Sequence, residues 1–362
     1  MKILVLSEEY PNNEGIVTLM YIHTRNLYYQ NHGIDVTELN FRAKKSYVYQ
    51  GVNVITLSDF IESDDKYDLL VIHSANLKHH YRFLKKYGDK FPHFLFFYHG
   101  HEVLKRRKVY AKPYPYVVKN KRKEVFDNLY DTFKLFVWRK YIPKVAYKSW
   151  FVFVSNWMYE EFLKWTCISP DILKNRYSIT YNCVGKTFER SCYDLDKPKS
   201  YDFVTIRSNL DGSKYGIDIV NILAERTPEA KFLVVGKGEF FSHYKKADNI
   251  TWENKTLQHN EIIEVLNSAK FALMPTRTDA QGLMMCEMAA FGIPVITSDI
   301  PVCHEVFDGF DNVFFIDNET ENSLERFLRI TPKCIRDTRF YESNTAQKEA
   351  ELIKRLVSIG EE

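Results

Sequence analysis

The chain lacks several things that would have placed it quickly. No apolar run comes near the ~20 residues of a membrane-spanning helix. Low-complexity tracts are absent, and so is a repeat with a period of 20–50 residues, which argues against a solenoid or a propeller. The six cysteines (167, 183, 192, 286, 303, 334) include no C-x-x-C pair and no metal spacing with histidine. They fit a reducing compartment and read as small buried hydrophobes. The opening MKILVLSEEYP turns acidic straight after its apolar run, so it reads as a first β-strand and not as a secretory leader.

What is present is enough for two cores. The 362 residues, 45% of them hydrophobic, suit two domains. The net charge of +3 hides a division. Residues 1–200 carry 32 Lys and Arg against 21 Asp and Glu, and residues 201–362 carry 18 against 26. A basic half implies an anionic encounter.

Two β/α series follow one another. KILVLS, VTEL, VNVIT, YDLLVIHS, HFLFFYHG and WFVFVS read as strands of the first. YDFVTIRS, KFLVVGKG, NITWE, KFALMPTR, PVITSD and NVFFID read as strands of the second. Near-continuous apolar runs are the mark of buried parallel strands. A helix is predicted over 18–30, ended by Asn31-His32-Gly33, and another over 339–359. The polar SCYDLDKPKS (191–200) reads as a linker. The expected domains are therefore 1–195 and 196–338, with a terminal helical segment 339–362.

The run from Pro275 to Asp299, PTRTDAQGLMMCEMAAFGIPVITSD, is the most informative. Asp279 and Glu287 stand on either side of seven residues, in a strand–loop–helix–strand arrangement. In an open α/β sheet, ligands bind at the carboxyl ends of strands. A helix start adds free N–H groups that suit phosphate or sugar oxygens. Taken alone, spaced carboxylates would read as surface acids. The run as a whole resembles the donor-site motif of retaining family 4 glycosyltransferases, which have the GT-B fold. In that motif two Glu flank seven residues and a G-x-P-V strand follows. Glu287-Met-Ala-Ala-Phe-Gly292-Ile-Pro294-Val295 matches the second half, while Asp279 replaces the first Glu.

The resemblance carries further expectations. It implies two Rossmann-like domains facing across a cleft, with the last helix crossing back to the first. Arg207 at a strand end and Lys214 seven positions on resemble the family's R…K-G pair, and would bind the donor pyrophosphate. Glu287 would accept from ribose hydroxyls and Asp279 would contact the transferred sugar. The N–H groups of Gly282 and Leu283 would face the sugar or β-phosphate. His99, in His99-Gly100-His101-Glu102, is expected at the cleft on the acceptor side, with His101 as the alternative. Gly15 is what remains of a Gly-rich loop near donor and acceptor. Gly236-Lys237-Gly238 lacks the third glycine of a dinucleotide motif and reads as a tight turn. Asn182 reads as structural, and Asp299 and Glu305 as loop-shaping.

The function implied is sugar transfer from a nucleoside-diphosphate sugar to a glycan or polyprenyl-diphosphate-linked acceptor, with retention, in surface polysaccharide synthesis. No metal or other cofactor is expected. A catalytically weak sugar-nucleotide-binding or scaffold protein is the second reading, because Asp279 departs from the motif. The segment Leu104–Lys123 has nine Lys and Arg and no acid, with Tyr110, Tyr114 and Tyr116 among them. It reads as a solvated loop, a nucleic-acid contact or a membrane-surface patch. No nucleic-acid-binding motif accompanies it. The enzyme reading favours the third, with residues 104–148 against anionic lipid at the cytoplasmic face of the cell membrane.

Overall fold

A computed structural model describes residues 1–16, 18–117 and 121–358, with the side chains of 121–125 excepted. The chain divides into two compact units. One holds Met1–Arg106, Asp127–Cys183 and the chain from Tyr341 onward. The other holds Val184–Phe340 and the described part of Arg107–Phe126.

The first unit is an eight-stranded sheet: β1 (Lys2–Ser7), β2 (Asp35–Asn40), β3 (Tyr47–Tyr49), β4 (Val52–Ile55), β5 (Leu69–His73), β6 (His93–Tyr98), β7 (Ser149–Phe153) and β8 (Tyr177–Ile179). The order is β3-β4-β2-β1-β5-β6-β7-β8, and every pair is parallel except β3 with β4. The second is a six-stranded parallel sheet: β9 (Tyr201–Asn209), β10 (Phe232–Lys237), β11 (Ile250–Glu253), β12 (Ala269–Met274), β13 (Val295–Ser298) and β14 (Val313–Ile316). Its order is β11-β10-β9-β12-β13-β14. The α/β class with two parallel-sheet domains is as the sequence implies.

All twelve expected strands form. The two that sequence reading missed are three residues each: β3 is closed onto β4 by Gln50-Gly51, both at positive φ, and β8 is a partly exposed edge. The helix expected over 18–30 runs Met20–Asn31, and Val17 lies outside the described residues. The terminal segment begins as short turns and becomes a helix only at Ala346–Ser358; Ile359 lies outside the described residues.

That terminal helix belongs to the first unit. Ala346, Ala350, Leu352 and Ile353 pack in one core with Ile3, Val5, Val71 and Phe97. Glu349 is buried there. It accepts from the Arg25 guanidinium, with Nε 2.9 Å from Oε2, and from the Tyr29 hydroxyl at 2.6 Å. Burying an ion pair is tolerable when hydrogen bonds satisfy both partners. The second core gathers Phe203, Val234, Phe271, Leu273 and Ile296 under Val220, Leu223 and Phe327.

The SCYDLDKPKS stretch is held onto the second unit. The Tyr193 N–H donates to the Phe291 carbonyl at 2.9 Å, and its hydroxyl donates to the Ala269 carbonyl at 2.7 Å. An apolar ring within a polar run supplies an anchor that composition alone conceals.

Candidate active site

Strand order fixes where the second unit can hold a ligand. From β9 the chain moves outward to β10 and β11, then returns to place β12 on the other side of β9. The connections on either side of β9 leave in opposite directions, and at such a switch point ligands bind beyond the carboxyl ends of the strands. Arg207 stands near the end of β9, and Pro275 directly follows β12.

Arg207 is buried. One Nη donates to the Pro275 carbonyl at 2.8 Å, and the guanidinium lies 5.1 Å from the Tyr215 ring centre. Among the described residues its Nε has no hydrogen-bond partner. Burial lowers its pKa, and the nearby Asp279 carboxylate opposes that shift. A buried cation with an unsatisfied donor is costly unless something anionic completes it.

Lys214 sits in the turn Ser213–Tyr215. Its ammonium lies 4.6 Å from the Tyr215 ring centre and 5.7 Å from that of Tyr110. Among the described residues it has no carboxylate partner. The turn is latched to the loop after β12. The Lys214 carbonyl accepts from the Arg277 N–H at 2.8 Å and the Thr276 hydroxyl at 3.0 Å. Arg277 also forks onto Asp218, at 2.9 and 2.7 Å. One rigid frame therefore carries Lys214 and the Asp279 loop.

Gly282 opens the helix Leu283–Phe291 at φ +79°. The positive φ favours glycine, and a Cβ there would also push aside the Met285 methyl, 2.1 Å away. The N–H groups of a helix's first turn have no intrahelical acceptor. Asp279, just upstream, accepts from the Ala280 N–H at 2.8 Å. Glu287 is buried one turn into an otherwise apolar helix, and burial alone pushes its carboxyl up to about 8. No hydrogen-bond donor meets it among the described residues. Strongly perturbed groups at a strand-end crevice are what functional sites collect.

Gly236 has another role. A Cβ there would lie 2.2 Å from the Arg207 carbonyl oxygen, so glycine lets β10 pass β9 beside the site. Trp252 Nε1 donates to the Gly236 carbonyl at 3.1 Å. Asp299 pairs with His304 at 2.6 Å on the surface.

The sequence concealed a further component. Residues 107–117 pack on this unit. The Tyr114 hydroxyl donates to Asp218 at 2.7 Å and the Tyr116 hydroxyl to Asp211 at 2.8 Å. The Tyr116 ring stacks on His243 with centres 4.2 Å apart. The Val109 carbonyl accepts from Thr278 at 3.0 Å, next to Asp279. Two tyrosines read as membrane-surface aromatics are thus engaged in packing. Arg106 is likewise tied to Asp131, at 3.3 Å. Lys119 and the side chains of Lys121, Arg122 and Lys123 lie outside the described residues.

In the first unit His99 follows β6. Its ring nitrogen lies 3.0 Å from that of His73, and its ring sits against Tyr21 with centres 4.6 Å apart. Its backbone N–H donates to Glu102. Burial, with the Arg25 and His101 charges, holds its pKa well below the usual range, so the imidazole is neutral. Asn182 hydrogen-bonds to it. His101, by contrast, has its side chain 66% exposed. Gly15 lies in an exposed loop at φ +97°, turned by the Asn12 side chain, which accepts from the Glu14 and Ile16 N–H groups. A hollow of about 620 Å³ beside it is lined by Glu9, Tyr10, Asn12, Arg42, Lys45 and Tyr47, among others.

Arg207, Lys214, Asp279, Gly282, Leu283 and Glu287 thus share one unit, and His99 and Gly15 lie in the other. The architecture is that of GT-B glycosyltransferases. Residues 203–330 match the family described as "Glycosyl transferases group 1", and this stretch spans the whole site of the second unit. Solved structures align along nearly the whole chain. The sucrose-phosphate synthase of Thermosynechococcus elongatus has a TM-score of 0.69 at 14% identity, covering 99% of both chains. Starch synthase IV of Arabidopsis thaliana, bound to ADP and acarbose, has 0.59 at 12%, covering 99% of both. The Anabaena HepE protein, in complex with UDP and glucose, has 0.58 at 12%, covering 100% of this chain and 98% of that one. No curated protein sequence matches. Among the described residues, no helix is long and apolar enough to cross a membrane.

Proposed function

We propose that the protein is a retaining glycosyltransferase that takes its sugar from a nucleoside-diphosphate donor. The observation that carries this reading is Arg207: a buried guanidinium near the carboxyl end of β9, with an Nε that no described residue pairs. Lys214 and the helix start at Gly282 belong to the same unit. Two phosphates suit a guanidinium fork beside a point charge. Ribose hydroxyls would meet Glu287, which has no donor among the described residues. The N–H groups of Gly282 and Leu283 would face the β-phosphate or the sugar, and Asp279 the sugar hydroxyls. The complexes with ADP and with UDP and glucose on the same fold support the donor class.

In transfer, the bond from the anomeric carbon to the phosphate oxygen breaks, and the acceptor oxygen bonds to that carbon on the same face. The acceptor's proton passes to the departing phosphate oxygen. Positive charge develops on the ring and negative charge on the leaving diphosphate. Arg207, Lys214 and the helix N-terminus would stabilise the latter. No step in this scheme requires a resident metal. His99, neutral and oriented by His73 and Asn182, would position the acceptor side as a hydrogen-bonding group. Gly15 would border it. The acceptor class proposed is a glycan or polyprenyl-diphosphate-linked saccharide of a surface polysaccharide pathway. The enzyme would then work at the cytoplasmic face of a membrane, with residues 104–148 toward anionic lipid.

Pooled sugar nucleotides test the reaction. Wild type is expected to release nucleoside diphosphate by hydrolysis or transfer. Asp279→Asn should lower turnover far more than diphosphate affinity. Equal losses in both would make Asp279 a loop-holding residue. Donor binding without any turnover would favour the weakly catalytic binding protein.

A further inference from the structure

The helix Lys121–Val145 has two apolar faces. Leu135, Trp138, Tyr141, Ile142 and Val145 are buried on one. Phe126, Leu129, Tyr130, Phe133 and Phe136 follow the spacing i, i+3, i+4, i+7 and i+10, which sets them on one stripe roughly 120° wide on the other side. These five are 42–69% exposed. An ordinary surface helix is apolar on one stripe and polar on the other. Among the described residues nothing covers the second stripe of this one, and large exposed apolar patches mark interaction sites.

Charge decides the partner. Lys140 and Lys144 continue the same stripe toward the helix end, and Lys140 lies 5.8 Å from the Phe136 ring centre. Exposed Tyr147 follows in the next turn. The acids between Phe126 and Lys148 are Asp127 and Asp131, and helical spacing puts both on the opposite side. Asp131 is buried between Arg106 and Lys134. The stripe therefore offers Phe, Leu and Tyr with cations and no acid. A protein partner that matched it would need an acidic rim around an apolar floor. An anionic bilayer interface presents that combination along its whole surface.

We infer that the Phe126–Lys144 stripe lies flat in the interface of an anionic lipid bilayer, with its aromatic rings at the level of the acyl boundary and Lys140 and Lys144 among the headgroups. This deepens the proposed membrane placement. Within residues 104–148 it makes the primary contact an apolar face, whose hold survives salt, in place of the cations of Leu104–Lys123.

The test uses the full chain and sedimentation with vesicles. Wild type should sediment with vesicles containing phosphatidylglycerol and much less with pure phosphatidylcholine. Replacing Phe126, Phe133 and Phe136 by Ser should lower the partition coefficient on the order of a hundredfold, since each ring leaves the apolar phase. Lys140→Ala with Lys144→Ala should remove mainly the salt-sensitive part. Thermal unfolding and nucleoside diphosphate binding should be unchanged in both variants. Those controls separate this inference from the donor reading, which survives a negative vesicle result. Wild type that ignores anionic vesicles at low salt overturns the inference, as does a triple variant that binds like wild type. A wild-type dimer broken by the three serines, without vesicle binding, would assign the stripe to a second copy of the chain.

Discussion

Glu287 shows how one carboxyl can report on a whole site. Held up to about 8 by burial, it is protonated at neutral pH in the free protein. Ribose hydroxyls donate to a carboxylate and stabilise its charged form. Binding a nucleoside diphosphate at pH 7 should therefore release a proton, and affinity should rise as pH climbs toward about 8. Titration calorimetry in two buffers of different ionisation enthalpy reads the proton directly. Glu287→Gln should abolish the release. The stability sign runs the other way. A carboxyl raised in the folded state loses its contribution as pH rises from the ordinary value of 4.5 to about 8, so Glu287→Gln should flatten the stability profile of the free protein across that window.

Among elements, the segment 107–117 was the least legible. Its sequence shows cations interleaved with tyrosines, which a solvated loop, a nucleic-acid contact and a membrane patch would all share. Only the structure reveals that Tyr114 and Tyr116 donate to Asp218 and Asp211, which lie about a hundred residues away. Charge-assisted hydrogen bonds contribute about 1.5–3 kcal/mol each. Tyr114→Phe with Tyr116→Phe should therefore lower the second unit's stability by a few kcal/mol, read by denaturant unfolding. A loss confined to diphosphate affinity, with no change in stability, would contradict packing as their main role. The strands were the most legible elements, because parallel pairing buries both faces and leaves continuous apolar runs. β3 and β8 escaped because three residues carry too little pattern. Asp279, Gly282 and Glu287 were legible because they fall in one unbroken stretch of chain. The Arg277–Asp218 latch was not, since its partners are 59 residues apart.

At the scale of the molecule, the chain ends by returning to the unit in which it began. Arg25 and Glu349, 324 residues apart, meet in a buried pair that closes the first unit. Removing one partner of such a pair typically costs about 3–5 kcal/mol, because the other charge stays buried. Glu349→Ala should cost that much in denaturant unfolding of the first unit, while leaving the nucleoside diphosphate affinity of the second unit intact. A loss below about 1 kcal/mol would contradict the buried geometry. The central claim concerns the second unit, where a diphosphate should bridge Arg207 and Lys214 beside the helix start. The most direct measurement is titration calorimetry of wild type and Lys214→Ala against a panel of nucleoside diphosphates. At least one diphosphate should bind wild type and lose about 1–3 kcal/mol in the variant, the scale of a charge-assisted contact. A panel in which none binds wild type, or in which Lys214→Ala binds as tightly as wild type, would contradict the account.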